Sequence, residues 1–221
     1  MNQERGLIGR LVGSMIRRSV RQRFHSVLLY REIPAIYTPA VLYANHHGWH
    51  DGYLAFHLLQ RLKIEAVDWI QEFDAFPLFR FVGGMPFPLD DAARRITTIR
   101  RTLRLMRDEK RSLLIFAEGT LHRAPEILPL GRALQVIGER VPNAVFVPLA
   151  IVYDMSLHER PQAYLSLGEP SKFTDLGDLR RRLERELEAL TVHVREDQNF
   201  EVLVRGTADV NQRWDMRRLK R

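Results

Sequence analysis

The sequence contains no cysteine among its 221 residues, so it can form neither disulfide bonds nor thiolate metal sites. It also lacks a long apolar run: residues 145–153 fall far short of the ~20 residues that a membrane-spanning helix needs. The N-terminal region carries arginines throughout and has no continuous apolar core, which predicts that no secretory signal is present. These absences fit a protein of a reducing compartment.

The charge of the chain is unevenly distributed. Its net charge is +7, of which residues 1–31 contribute seven arginines and one glutamate, or +6, and residues 205–221 contribute +4. The middle of the chain is therefore mildly acidic, at −3. The basic ends predict an anionic partner that the termini contact. The length and the 45% hydrophobic content suit one globular domain with a proper core.

Residues 5–23 are predicted to form an amphipathic helix. One interpretation is a helix that packs its apolar stripe on the core; the other is a helix that lies on an anionic membrane surface. Nucleic acid is not expected as a partner, because no nucleic-acid-binding signature or aromatic platform accompanies the arginines. The apolar residues at helical spacing are Leu7, Ile8, Leu11, Val12, Met15, Ile16 and Val20.

A strand-like run over residues 40–44 leads into the segment 45–51, Asn-His-His-Gly-Trp-His-Asp, and a helix-like run follows. His46 and Asp51 lie five positions apart at this turn, which suits a general base and a carboxylate that fixes its tautomer. Asp51 would also interact with the free amides of the helix start. The turn has no serine or cysteine nucleophile. The base is therefore expected to activate a hydroxyl group of the substrate.

Two other interpretations of this turn remain open. His46, His47, His50 and Asp51 are residue types that bind zinc. Gly48 and the turn position argue against the regular helix that such a site would use, and an asparagine before His46 has no role in it. In the other interpretation, the histidines have only structural roles, as helix caps and packing residues.

The turn resembles a known motif. Asn45-His46 followed by Asp51 is similar to the Asn-His-x4-Asp motif of the glycerolipid acyltransferases, the group that contains the lysophosphatidic acid acyltransferases. Residues 116–120, Phe-Ala-Glu-Gly-Thr, resemble that family's Phe-Pro-Glu-Gly-Thr, and residues 147–149 also fit.

This resemblance implies a fold. It covers roughly residues 35–155 and implies one α/β domain with a central, mostly parallel sheet flanked by helices. We assign this acyltransferase domain to residues 32–221, after the basic amphipathic helix of residues 1–31.

The resemblance also implies a reaction. A fatty acyl group would pass from acyl-CoA or acyl carrier protein to a hydroxyl of a lysophospholipid acceptor, similar to 1-acylglycerol-3-phosphate. His46 would remove the hydroxyl proton and Asp51 would orient His46, without an acyl-enzyme, a metal or another cofactor. Backbone amides near Gly48 or Gly119 would hold the oxyanion. The protein would act as a peripheral protein on the cytoplasmic face of a membrane.

The second motif is expected to shape the acceptor site. Glu118, Gly119 and Thr120 follow a buried-looking strand, and ligand sites of α/β sheets lie at the carboxyl ends of strands. Arg123 is the best candidate for contact with an anionic headgroup. Asn45 and Gly48 would support the catalytic turn.

The chain departs from the family at both positions where an arginine is expected to contact the acceptor's phosphate. Asp90 stands at one of these positions and Leu121 at the other. Arg94 or Arg95 would replace the first arginine. These departures leave open a non-phosphate lipid or glycolipid acceptor, or a non-catalytic basic protein that binds a membrane surface. The sequence gives no indication of the oligomeric state.

Other patterns predict the surrounding elements. Residues 77–82 are assigned to the core, residues 163–167 to an edge strand, and the tail from Asn199 onward to a helix with a basic cluster over residues 217–221. A helix is predicted over residues 92–107, and its buried stripe is predicted to be Ile96, Ile99, Leu103 and Met106.

Overall fold

The structure of the protein is a computed structural model, and it describes residues 2–196 and 199–214. The predicted basic cluster at residues 217–221 lies outside these ranges. The strands are β1 (Ser26–Tyr30), β2 (Ala40–Ala44), β3 (Ala66–Ile70), β4 (Gly84–Pro86), β5 (Ser112–Phe116), β6 (Val145–Asp154), β7 (Gln162–Leu167) and β8 (Phe200–Arg205). The α-helices are α1 (Asn2–Arg23), α2 (Asp51–Leu62), α3 (Ala92–Asp108), α4 (Arg132–Arg140), α5 (Leu176–Glu196) and α6 (Val210–Arg213).

All eight strands belong to one sheet, in the order β4-β3-β5-β2-β6-β7-β1-β8. The pairs are parallel except β6 with β7 and β1 with β8. The central strand β2 is buried along its whole length, as expected of a parallel strand with helices on both faces. Residues of α1 and α2 pack on one face, and residues of α3, α4 and α5 pack on the other. The predicted α/β fold with a mostly parallel sheet is confirmed.

Helix α1 presents apolar residues on two sides. One row packs into the core, and a second row is more than half exposed, next to the exposed Arg10 and Arg18. Within the described ranges, no helix is long and apolar enough to span a bilayer. The buried row is Val12, Ile16 and Val20, and the exposed row is Leu7, Leu11 and Met15.

The assignment of residues 77–82 to the core is wrong. They form a 3₁₀ helix, Pro77–Val82, in which no residue is buried. This helix lies against α1, where Gly9 has no side chain: a Cβ added there would stand 2.9 Å from the carbonyl oxygen of Phe81. The segment is therefore a partly exposed layer between α1 and the sheet.

The predicted buried stripe of α3 is also wrong in part. Met106 is buried, but its buried neighbours are Thr98 and Thr102, whereas Ile96 is 48% exposed. The threonine hydroxyls are satisfied inside the protein, because Thr98 donates to the carbonyl of Pro86 and Thr102 accepts from the indole of a tryptophan on β3. Tertiary hydrogen bonds thus decide which face of α3 is buried.

Two strand predictions need correction. The predicted edge position of β7 is wrong, because this strand lies between β6 and β1. Within the described residues, the helix predicted from Asn199 onward is present only as the short α6 and is wrong over residues 200–205, which form β8, the antiparallel edge strand of the sheet. Its partner β1 lies inside the predicted N-terminal segment, residues 1–31, and belongs to the sheet. The domain division at residue 31 stays a prediction.

Candidate active site

The two sequence motifs meet at one edge of the sheet. Strands β2 and β5 are parallel neighbours, and their last residues, Ala44 and Phe116, are paired. The segments that follow both strands therefore leave the sheet side by side. This is the edge where α/β folds place ligand sites.

His46 and Asp51 are in contact. The Nδ1 atom of His46 lies 2.9 Å from Oδ2 of Asp51, whose side chain is completely buried, while the His46 side chain is 24% exposed. The carboxylate accepts the Nδ1 proton, which leaves Nε2 as the acceptor nitrogen of a neutral ring. Within residues 2–196 and 199–214 no hydrogen bond engages Nε2. The ring is thus oriented to accept a proton from outside the protein.

Two further donors hold the Asp51 carboxylate. The amide of Gly48 donates to Oδ2 at 2.9 Å, and the hydroxyl of Tyr153 donates to Oδ1. Burial, together with the neighbouring Asp51, raises the pKa of Tyr153, so its hydroxyl stays protonated. A Cβ added to Gly48 would stand 2.4 Å from the Tyr153 ring, so this position requires glycine.

Asn45 connects the turn that carries His46 and Asp51 to strand β6. Its amide nitrogen donates to the carbonyl of Ile151 at 2.9 Å, and its amide oxygen accepts from the Ile151 amide at 2.9 Å. The same side-chain nitrogen donates to Nδ1 of His47 at 3.0 Å, so the proton of His47 sits on Nε2, 3.0 Å from the carbonyl of Glu126. Asn45 and His47 are thus structural parts of the turn.

Glu118 holds the two motifs together. Its buried carboxylate accepts from the amide of His46 at 2.9 Å and from the amide of Leu128 at 2.6 Å, and it bonds Nε2 of His122 at 2.5 Å. The amide of His122 donates to the carbonyl of His46 at 3.1 Å. The second motif therefore forms hydrogen bonds with both peptide groups of His46. The Glu118 carboxylate faces this backbone, and its predicted role in lining the acceptor site stays a prediction.

Gly119, Thr120 and Arg123 lie on the exposed side of the same loop. Gly119 has a φ of 71°, a backbone conformation that favours glycine. The amides of Gly48 and Gly119 themselves donate to Asp51 and to the carbonyl of Phe116, respectively. The oxyanion role of backbone amides near Gly48 or Gly119 stays a prediction. The acceptor-binding roles of the exposed residues stay predictions.

Comparison with known proteins assigns the family. A family model described as Acyltransferase matches residues 22–152, more than half of the chain. The chain belongs to the acyltransferase family. Its structure is similar to the crystal structure of PlsC, the 1-acyl-sn-glycerophosphate (LPA) acyltransferase from Thermotoga maritima, with a TM-score of 0.59 and 16% sequence identity. The match covers 88% of this chain and 82% of that chain, and it confirms the predicted acyltransferase fold. A search of curated proteins found no match.

The arginines expected to replace the family's phosphate-binding residue are engaged elsewhere in this acyltransferase. Arg94 forms two hydrogen bonds to Asp74, at 2.5 and 2.7 Å. Arg95 donates to the carbonyl of Pro88 at 2.9 Å. Arg123 is exposed and forms no ion pair within the described residues. Of these three arginines, Arg123 is therefore the best placed to bind a ligand.

The four residues of the zinc interpretation do not converge in the acyltransferase. His46 bonds Asp51, and both His47 nitrogens are taken by Asn45 and a backbone carbonyl. His50 packs in an aromatic cluster, where burial and the nearby positive charge of Arg23 lower its pKa.

A different group of possible ligands does approach within 4.8 Å, namely His47, Glu118 and His122. The Nε2 atom of His47 bears a proton in the hydrogen-bond network, because Asn45 donates to Nδ1. A metal would need that lone pair free and Nδ1 protonated. The network therefore works against a metal at this position, and the prediction that the reaction needs no cofactor stays a prediction.

Sequence reasoning missed the roles of Tyr153 and His122. Tyr153 lies 102 residues from Asp51, near the end of β6, the strand that neighbours β2. A search of strand ends for polar side chains would have found it. His122 stands four residues after Glu118, and this spacing alone did not reveal the contact between them.

Proposed function

We propose that this acyltransferase moves a fatty acyl group from the thioester of acyl-CoA or acyl carrier protein to a hydroxyl of a lysophospholipid. The observation that carries the proposal is the contact between His46 and the buried Asp51, with Nε2 of His46 directed outward. This arrangement is that of a general base held by a carboxylate, and the turn 45–51 contains no serine or cysteine nucleophile.

In the proposed reaction, Nε2 of His46 takes the proton of the acceptor hydroxyl as its oxygen attacks the thioester carbonyl carbon. A tetrahedral intermediate forms, and Asp51 stabilises the imidazolium. The carbon–sulfur bond then breaks, and the imidazolium returns the proton to the leaving thiolate. The products are an ester and a free thiol, and His46 is restored to its neutral state.

Replacement of His46 by alanine tests this proposal. We expect turnover to fall by about 10²- to 10⁴-fold, the usual contribution of a general base. His193→Ala is the matched control, because that ring stacks on Tyr30, away from the two motif turns. Circular dichroism and thermal unfolding would verify that both variants fold. Turnover of His46→Ala that equals wild type would refute the general base.

The acceptor is proposed to resemble 1-acylglycerol-3-phosphate. Support comes from the similarity to the T. maritima enzyme and from the free, exposed guanidinium of Arg123 beside Gly119 and Thr120. A second candidate is a non-phosphate lipid or glycolipid acceptor, and the observation in its favour is that Arg94 and Arg95 are engaged by protein groups.

An acceptor panel separates these two candidates. With a phosphate acceptor, Arg123→Ala should raise KM about tenfold, because a charge-assisted hydrogen bond is lost. Arg101→Ala on the exposed face of α3 is the control. If the wild type prefers a neutral glycolipid and Arg123→Ala leaves its KM unchanged, the second candidate is correct.

We also propose that the outer row of α1 rests on an anionic membrane. This row combines exposed leucines and a methionine with exposed arginines, the composition of interfacial helices. The double variant Leu7→Glu and Leu11→Glu should lose binding to vesicles that contain phosphatidylglycerol. Val136→Glu is the control, because this valine is exposed on α4. Equal binding by the double variant and wild type would reject the proposal. The cytoplasmic location stays a prediction.

A further inference from the structure

A carboxyl group that the proposed reaction does not use lies near the catalytic turn. Asp68 is in the middle of β3, where its backbone neighbours are Leu114 on β5 and Gly84 on β4. Its side chain projects from the sheet face that α2 covers. A Cβ added to Gly52, the second residue of α2, would stand 4.0 Å from Oδ2 of Asp68 and 3.8 Å from Cε2 of Phe116. A Cβ at these distances would be in ordinary contact, so Gly52 leaves room for about one methyl group beside Oδ2, between α2 and the sheet.

The carboxyl group of Asp68 is incompletely satisfied. Its Oδ1 atom is buried and has no hydrogen-bond partner, although the side chain as a whole keeps partial access to solvent. No cationic side chain within the described ranges pairs with it. Burial raises the pKa of Asp68 to about 7, against the opposing effect of the Trp69 amide. Near neutral pH the group is thus available both as a hydrogen-bond donor and as an acceptor.

The surroundings of Asp68 connect it to His46 along an apolar path. The ring of Phe116 stacks on His46 with 4.5 Å between centroids, and the edge of the same ring faces Gly52. Beyond it, the side chains of Ile70 and Phe79 are half-buried and meet at Gly84. Half-buried apolar groups along such a path suit a hydrocarbon chain. A carboxyl group among them suits a polar substituent on that chain.

We propose that Asp68 is a specificity residue that hydrogen-bonds a hydroxyl group on the hydrocarbon chain of a substrate. The chain would run from the reacting carbonyl at His46 past Phe116, and its hydroxyl would reach the Asp68 carboxyl from the side of Gly52, where Oδ2 lies. A plain chain would leave a buried polar group without a partner, which is what makes such a site selective. The proposal rests on the proposed acyl transfer. The hydroxyl is carried either by the acyl donor or by the acyl chain of the acceptor.

The test compares hydroxylated and plain substrates of equal chain length. Wild type, Asp68→Leu and Asp68→Asn would be assayed with acyl thioesters that bear a hydroxyl at different carbons, and separately with acceptors whose chain bears the hydroxyl. We expect the kcat/KM ratio of hydroxylated to plain substrate to exceed ten for one of the two arms in wild type. It should fall to about one in Asp68→Leu and persist in Asp68→Asn, which keeps the hydrogen-bonding capacity. The arm that responds identifies which substrate carries the hydroxyl.

A binding measurement separates this proposal from the proposed function. Hydroxylated and plain fatty acids would be titrated into wild type and into both variants, and the shift in Tm would be recorded. A larger shift with the hydroxylated acid in wild type, lost in Asp68→Leu, supports the site even if no acyl transfer is found. A kcat/KM ratio near one in both arms, or a ratio or Tm difference unchanged in Asp68→Leu, overturns the proposal. Ile70→Leu is the control for a change in the apolar lining alone.

Discussion

Asp51 and Glu118, the carboxylates of the two motifs, differ from Asp68 on the neighbouring strand in how their oxygens are satisfied. Asp51 and Glu118 each engage three polar groups of the protein. Asp68 has a buried oxygen with no partner. Proteins rarely leave a buried polar atom unpaired without a reason. The first two carboxylates thus hold the ring and the backbone of His46, whereas the third is the carboxylate for which we propose a ligand.

The same region also offers a comparison of two histidines. His46 and His122 both bond a buried carboxylate, but His122 has its second nitrogen 3.1 Å from the carbonyl of Arg123. His46 has its second nitrogen directed outward. Within the described residues, one ring nitrogen of His46 has no protein partner, whereas both nitrogens of His122 have one, so the two histidines differ in what they can bind.

Among the carboxylate variants, the largest expected effect on the rate comes from Asp51→Asn. An amide in this position no longer fixes the proton of His46 on Nδ1, so the base is held in the wrong tautomer, and we expect kcat to fall by about 10³- to 10⁴-fold. Steady-state kinetics would measure this decrease in kcat, and circular dichroism would verify that the variant folds. Asp154→Asn, at a half-buried residue whose carboxylate accepts hydrogen bonds from Ser156, is the control. A decrease below tenfold would show that the carboxylate does not orient the base.

The next prediction concerns how the free energy of unfolding depends on pH, a property in which Asp68 is expected to differ from Asp51 and Glu118. Because its pKa is raised from 3.8 to about 7, the unfolded state loses this proton at lower pH than the folded state. The free energy of unfolding therefore falls as pH rises from about 4 to about 7, by up to roughly 4 kcal/mol from this group.

The variant Asp68→Asn removes this pH dependence. Its stability relative to wild type should increase between pH 4 and pH 7 and then level off, as measured by urea unfolding at a series of pH values. Glu126→Gln, a change of an exposed carboxylate, is the control. A difference between Asp68→Asn and wild type that is constant with pH would contradict the buried titration.

Much of the fold could be predicted because its central elements have simple patterns. The strands β2, β5 and β6 are near-continuous apolar runs, and the leucines of α5 recur on one face. The edge strand β8 was missed because a short, half-exposed strand shows no such run. The burial of Thr98 and Thr102 could not be read from the helix, since it depends on partners that the fold supplies.

The contact between His46 and Asp51 was predictable because both residues lie on one turn. His46 and Asp51 are five positions apart, and their contact depends on local geometry alone. The partner Tyr153 depends on the pairing of β6 with β2, which the sequence does not specify residue by residue. The space beside Oδ2 of Asp68 depends on Gly52 of another element, and the missing partner of Oδ1 depends on the packing around β3, so neither was visible in the sequence.

A smaller effect is expected for Glu118→Gln. The amide nitrogen of glutamine is a donor and would face the amide of either His46 or Leu128, which leaves buried groups unpaired. We expect the free energy of unfolding to decrease by about 2–3 kcal/mol. Urea unfolding beside Glu126→Gln would measure the difference. Unchanged stability would show that the carboxylate does not hold the two motifs together.

The smallest effect is expected for His122→Ala, and it distinguishes the two histidines. The substitution removes one partner of Glu118 while the amides of His46 and Leu128 remain, so we expect kcat to fall only about tenfold, roughly 1.4 kcal/mol. The variant His122→Gln keeps a donor for Glu118 and should restore part of the rate. His46→Gln should restore nothing, because glutamine cannot take the substrate's proton. A loss in His122→Ala as deep as that in His46→Ala would mean that the proton passes through both rings, and the division between a positioning and a catalytic histidine would fail.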